Sequence, residues 1–107
     1  MDYVVLRDAY IEKARKAEQA ANRVANIWYD KAARELELRR GRAFTKLEAS
    51  ERHAQINDLA RQWKAKDPIW KGHVADNQWY IQQAIMYGTA ANGQLLTQLI
   101  EYTYRSS

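Results

Sequence analysis

NQWYIQQAIMYGTAANGQLLTQLI, residues 77–100, contains no formally charged side chain, in a chain of 107 residues of which 28% are charged. Within it Ile81, Ala84, Ile85, Gly88, Ala91, Leu95 and Leu99 recur at steps of three and four, the period of a helix face. With no charge at the remaining positions either, the stretch predicts a helix that faces neighbours on most sides, drawn from its own chain or from other subunits. The amides of Asn77, Gln78, Gln82, Gln83, Asn92, Gln94 and Gln98 argue against a membrane span, because each would need a partner in hydrocarbon.

Upstream, residues 3–40 carry Leu6, Tyr10, Ala14, Ala17, Ala21, Val24, Trp28, Ala32 and Leu36 on one helical face. Arg7, Lys13, Arg15, Lys16, Glu18 and Arg23 line the opposite, solvated side. Gly41 supplies a stop, since glycine tolerates the left-handed conformation that closes helices, and Arg39 and Arg40 suit the negative end of the dipole. Thr45-Lys46-Leu47-Glu48 has the form of a capping box and predicts a second helix from about 46 to 66, with Leu47, Ile56, Leu59, Ala60 and Trp63 inward. Asp67-Pro68 ends it, because the residue before proline disfavours helical geometry. Asp67 can also cap a short turn over 68–71 with Pro68 at its first position, leading through Gly72 to a main third helix over about 74–104.

The expected fold is therefore all-α: a three-helix antiparallel bundle built on a long helical hairpin, with helices at about 3–40, 46–66 and 74–104, in one domain spanning 1–107. Alanine and glycine on the two long helices predict close packing, with Ala14, Ala17 and Ala21 opposite Ala91, Gly88 and Ala84. Gly88 and Gly93 each cost about 1 kcal/mol of helix propensity relative to alanine, which close approach or a bend must offset.

Composition agrees with helix. Proline occurs once and glycine four times, too few for a turn-rich β fold. Without cysteine there is no disulfide, thiolate nucleophile or Cys-ligated metal site. The first residues, MDYVVLRDAY, lack the basic start and long apolar run of a signal peptide, which points to the cytoplasm. The net charge of +4 is only moderately concentrated, at +2 over residues 1–40, +3 over 41–72 and −1 over 73–107.

No residue set carries a reaction signature. His53 and His73 lack the partners that metal-ligand spacing requires, and the three-residue step from His73 to Asp76 fits a local capping contact. Ser50 stands three residues before His53 with no third member and no oxyanion hole. No metal, cofactor, small-molecule substrate or enzymatic activity is expected. Arg39, Arg40, Arg42 and Lys46 form a basic zone able to meet phosphates, but Glu48, Glu51 and Asp58 interrupt its continuation and no base-reading helix follows. The aromatics are the more distinctive set, since Trp and Tyr combine large buried area with a polar handle. Trp63, Trp70, Trp79, Tyr80, Gln83, Tyr87, Gln94 and Tyr102 are the candidate protein interface, with closure of the bundle end as the competing use of the tryptophans.

Two resemblances extend this reading. Asp67-Pro68-x-Trp70, Ala75-Asp76-Asn77-Gln78-Trp79-Tyr80 and Gln83-Ala84-Ile85-Met86-Tyr87-Gly88-x-Ala90-Ala91 resemble small α-helical proteins encoded by actinobacterial tailed phages, over about residues 60–104. That resemblance implies a phage origin and a virion or assembly role, with no enzymatic residues to carry over. Trp70-Lys71-Gly72 is similar to the Trp-x-Gly turn of the helical-hairpin proteins exported by type VII secretion systems. Here the turn falls late, and none of Tyr80, Tyr87, Tyr102 or Tyr104 is followed by an acid at that family's spacing. The expected function is a non-enzymatic protein-binding or self-assembling subunit, a homo-oligomer or a phage structural component in the host cytoplasm or virion. The alternatives are a small basic nucleic-acid binder, a phage inhibitor of a host protein, or a secreted Trp-x-Gly hairpin.

Overall fold

The computed structural model describes residues 2–106, with side chains described through residue 94. It is all-α, with α1 (Tyr3–Arg40), α2 (Arg42–Thr45), α3 (Ala49–Lys64) and α4 (Pro68–Ser106), and no strand among the described residues. Four helices thus stand where three were expected. The chain divides into two compact units: unit 1 comprises Met1–Ala17 and Asp76–Ser107, and unit 2 comprises Glu18–Ala75.

Unit 2 holds the large buried side chains. Ala32 and Leu36 of α1, Phe44 of α2, and Ile56 and Ala60 of α3 form its core, flanked by Trp28, Tyr29, Ala33, Leu47, Leu59 and Trp63. The extra helix exists to deliver Phe44. Gly41 takes φ 53° and ψ −127°, a conformation open in practice only to glycine, and this reverses the chain after α1. Arg42–Thr45 then winds a single turn that sets Phe44 into the core at 2% exposure. The predicted capping box does not form, because Thr45 belongs to that turn and its hydroxyl donates to the Arg42 carbonyl at 3.3 Å. Glu48 occupies the N-cap of α3 without a side-chain bond.

α4 begins at Pro68, six residues before the expected start, because the short turn and the main helix are continuous through Gly72. Asp67 caps it: one carboxylate oxygen accepts the Ile69 amide at 2.9 Å, and the absent N–H of Pro68 costs nothing in the first turn. With the helix starting there, His73 and Asp76 lie inside it, and the predicted capping contact between them has no place.

In unit 1 the start of α1 runs antiparallel to α4. Tyr3 stacks on Tyr87, Tyr10 lies against Tyr80 and Tyr87, and the Ala14 carbonyl accepts the Asn77 side-chain amide at 2.7 Å. The small residues are inward as expected, with Ala14, Ala17, Ala84 and Ala91 buried, as is Ala21 in unit 2. Their pairing is not the expected one. Ala14 meets Asn77 instead of Ala91, a slip of about 21 Å along α4 at 1.5 Å per residue. Gly88 meets Arg7 instead of Ala17, and a Cβ on Gly88 would lie 3.3 Å from Arg7 Cδ. The tyrosines favour this: the observed register sets Tyr10 against Tyr80 and Tyr87, whereas alanine-on-alanine pairing would set it opposite position 95, a leucine.

Two variants test these assignments. Phe44→Ala should cost about 3–5 kcal/mol of unfolding free energy in urea, the range for emptying a buried aromatic site. Gly72→Ala should raise stability by about 0.5–1 kcal/mol, because a methyl there meets no atom within 4 Å and relieves the helix penalty of glycine. A destabilised Gly72→Ala would show that α4 is broken at that position.

Candidate functional site

Unit 1 is built on a seam with alternating four- and three-residue steps. On α1 it comprises Tyr3, Arg7, Tyr10, Ala14 and Ala17; on α4 it comprises Asn77, Tyr80, Ala84, Tyr87 and Ala91, and every member is half-buried or buried. Strict 3.5-residue spacing is the signature of helices paired along a continuous line. Tyr10 is its centre, with its ring 5.5 Å from that of Tyr87 at 7°, 6.2 Å from Tyr80 and edge-on to Trp79 at 6.0 Å. Lys13 places its ammonium 5.3 Å from the Tyr10 centroid and 5.9 Å from that of Tyr80, which favours cation–π attraction.

Tyr80 and Tyr87, predicted as partner-facing, are therefore engaged within the chain, as is half-buried Gln83's neighbour Ala84. Gln94 is exposed, and the side chain of Tyr102 lies outside those described. What remains outward is more apolar than the sequence reading allowed. Ile81 and Ile85, assigned to the inward face, are 43% and 63% exposed, and Trp79, Met86, Val4, Val5 and Ile11 are exposed as well. Helical geometry sorts these into two flanks of the seam. Ile81 and Ile85 project to the side that Val4 and Ile11 occupy on α1, whereas Trp79 and Met86 project to the other. The clue present in the sequence was the spacing of Tyr3 and Tyr10 against Tyr80 and Tyr87, seven residues apart on each helix.

Unit 2 carries a cleft of about 690 Å³ lined by Trp28, Lys31, Arg34, Glu35, Leu38, Trp63, Lys66, Asp67 and Pro68. Trp28 and Trp63 meet edge to face at 5.9 Å, and the Trp28 indole N–H donates to Asp67 Oδ2 at 2.7 Å. Trp63, a predicted interface residue, is thus half-buried in the wall of this cleft, and Trp70 receives the Lys64 ammonium at 4.9 Å. The bond from Trp28 is the main reason the Asp67 carboxyl is held below its ordinary value of 3.8, assisted by the Ile69 and Trp70 amides and by Lys31 against partial desolvation. On an exposed stretch of unit 2, the Tyr29 hydroxyl and His53 Nδ1 share a hydrogen bond.

The basic zone is partly neutralised or bonded. Arg39 pairs with Glu35 at 2.6 Å, and Arg40 donates to Gln55 at 2.6 Å, while Arg42 and Lys46 are exposed. Among the described residues no three His, Cys, Asp or Glu side chains are grouped to hold a metal ion, and no helix is long and apolar enough to cross a membrane. Comparison with known proteins finds no matching family model, no similar curated protein and no similar solved structure.

A depressed folded-state pKa stabilises the fold above the unfolded value and ceases to do so as pH falls through the folded value. The contribution of Asp67 is therefore complete at neutral pH, begins to decline below about pH 4, its ordinary value, and is lost as pH falls through the lower folded value. Thermal melts of the wild type and Asp67→Ala should differ at pH 7 and converge toward pH 2. A difference independent of pH would assign the role of Asp67 to something other than its charge.

Proposed function

We propose that the chain is a non-enzymatic structural subunit that works by binding protein through the open apolar flanks of unit 1. The observation that carries this reading is the exposure of Ile81, Ile85, Trp79 and Met86 on a helix without a formal charge from Asn77 to Ile100. Single exposed hydrophobes are ordinary on a monomer. Several aligned on one helix, with charge absent around them, match the composition of interface cores, where charged residues are depleted and Trp and Met enriched. Folding alone does not require that absence, since outward positions of a helix pair tolerate Lys and Glu.

On this reading α3 completes a three-helix bundle only over unit 2, and unit 1 is a hairpin whose third layer comes from a partner. The resemblance of residues 60–104 to helical proteins of actinobacterial tailed phages makes that partner part of a virion or its assembly apparatus, reached from the host cytoplasm. Sedimentation of the purified chain, and of the same chain mixed with an extract of its source, tests the reading. The wild type should migrate as more than one chain in at least one of the two, and Ile81→Glu/Ile85→Glu as one chain in both. Wild type that sediments as a single chain in both samples would sink it.

A further inference from the structure

We infer that the cleft of unit 2, between α1 and the junction of α3 with α4, is a binding site for a small aromatic carboxylate, whose ring lies against the apolar walls and whose charge is met by Arg34 and Lys66. The site does not involve the protein-binding flanks of unit 1.

The walls are set within unit 2. Trp28, Lys31, Glu35 and Leu38 follow steps of three, four and three along α1 and line the cleft from one helical face. Across from them stand Trp63, near the end of α3, and Pro68, the first residue of α4. The space of about 690 Å³ falls in the range of small-molecule sites. Trp28 and Trp63 are fixed edge to face at 5.9 Å, and the Trp28 indole N–H is tied to Asp67, so little ordering is left for a ligand to impose. Leu38 stands at the edge, 83% exposed and outside the core cluster of the unit.

Charge supplies the second half of the argument. Lys31, Arg34 and Lys66 line the cleft together with Glu35 and Asp67. Both carboxylates are engaged: Glu35 pairs at 2.6 Å with Arg39, which lies outside the lining, and Asp67 accepts the Trp28 indole N–H and the Ile69 amide. Lys31 rests over the Trp28 ring at 4.9 Å. Arg34 and Lys66 make no ion pair among the described residues. With Glu35 compensated from outside, the lining keeps an excess of positive charge, and a guanidinium meets a carboxylate in a planar fork of two hydrogen bonds.

The lining also selects against a peptide. It holds no amide or hydroxyl side chain, and the Trp63 and Lys64 carbonyls at the end of α3 already accept the Lys66 and Asp67 amides. A peptide backbone would give up water there without finding partners. An aromatic ring asks for none, packs against indole and needs only the one anion site. Nothing in the sequence announces such a ligand, because the lining is drawn from separate stretches, 28–38 and 63–68.

Naphthylacetate, two fused rings carrying one carboxylate, is the probe, and naphthylacetamide is its uncharged counterpart. Each is titrated into the isotope-labelled full chain while NMR follows the indole N–H resonances of the four tryptophans, assigned by replacing each in turn with phenylalanine. The Trp28 and Trp63 resonances should shift together and saturate with a Kd of about 1 mM for the carboxylate, while those of Trp70 and Trp79 stay in place. The amide should bind at least about fivefold more weakly, and Arg34→Gln and Lys66→Gln, at exposed positions, should each weaken the carboxylate by about fivefold, the effect of one exposed ion pair of good geometry. Arg61→Gln, exposed on α3 and outside the lining, should leave it unchanged. Absence of a saturable shift at Trp28 and Trp63 overturns the site, as does a shift confined to Trp79, which would put the probe on unit 1. Equal affinity for carboxylate and amide, or full affinity in both glutamine variants, overturns the assignment of an anion. None of these failures touches the protein-binding reading of unit 1, which sedimentation tests separately.

Discussion

The stack of Tyr10 between Tyr80 and Tyr87 fixes which side of α4 is covered and which is open. Offset rings 5.5 Å apart and 7° from parallel are held by dispersion and quadrupole terms that fall off within an ångström or two of displacement. A slip of one residue would turn the seam away from α1, and a slip of three or four would set Tyr10 on alanine. The Asn77 amide adds a directional lock, because it reaches the Ala14 carbonyl, whose second lone pair is left over from the helix ladder. Once the seam is set, Ile81 and Ile85 cannot be inward. Their exposure is a consequence of the tyrosine register and not of loose packing.

The two units bury apolar surface by different means. Unit 2 uses volume: Phe44 fills the space between Ala32 and Leu36 of α1 and Ile56 and Ala60 of α3, and the tryptophans close over it. Unit 1 uses proximity: among the described residues its buried hydrophobic side chains are alanines, which allow helices to approach but remove little area from water. Tyrosines, half-buried, supply the rest. A hairpin of this kind gains less from burial per residue than a unit with a filled centre, so its large aliphatic residues are left where another surface can reach them.

The long helices were legible because their signals are local and redundant. The ends of α1 follow from Asp2, which accepts the Val4 amide at 3.0 Å, and from Gly41, whose positive φ is what a glycine after two arginines predicts. The connection was not legible. Thr45 and Glu48 satisfied a local pattern, yet burial of Phe44 outweighed it, and a lone aromatic among polar residues carries no period from which to infer that burial. The register failed for a related reason. Small residues on both helices predict close packing but not which pairs meet, whereas aromatic residues at matching seven-residue spacing constrain the pairing, and of these Tyr80 and Tyr87 were read as partner-facing.

The absence of charge on α4 gains meaning by contrast with α3. That helix also exposes one side to solvent, and there it carries Glu51, Asp58 and Arg61, all exposed. Charge at such positions favours solubility and costs the fold nothing. On α4 from Asn77 onward the equivalent outward positions are Gln78, Gln82, Ile85, Thr89 and Asn92, again exposed. Amides and hydroxyls keep a helix hydrated when open, and they can exchange water for a partner's polar groups when covered. A lysine or glutamate there would have to be desolvated or left unpaired. A helix that only had to fold would gain from such charges, so their exclusion over a stretch of more than three heptads fits a surface that alternates between water and protein.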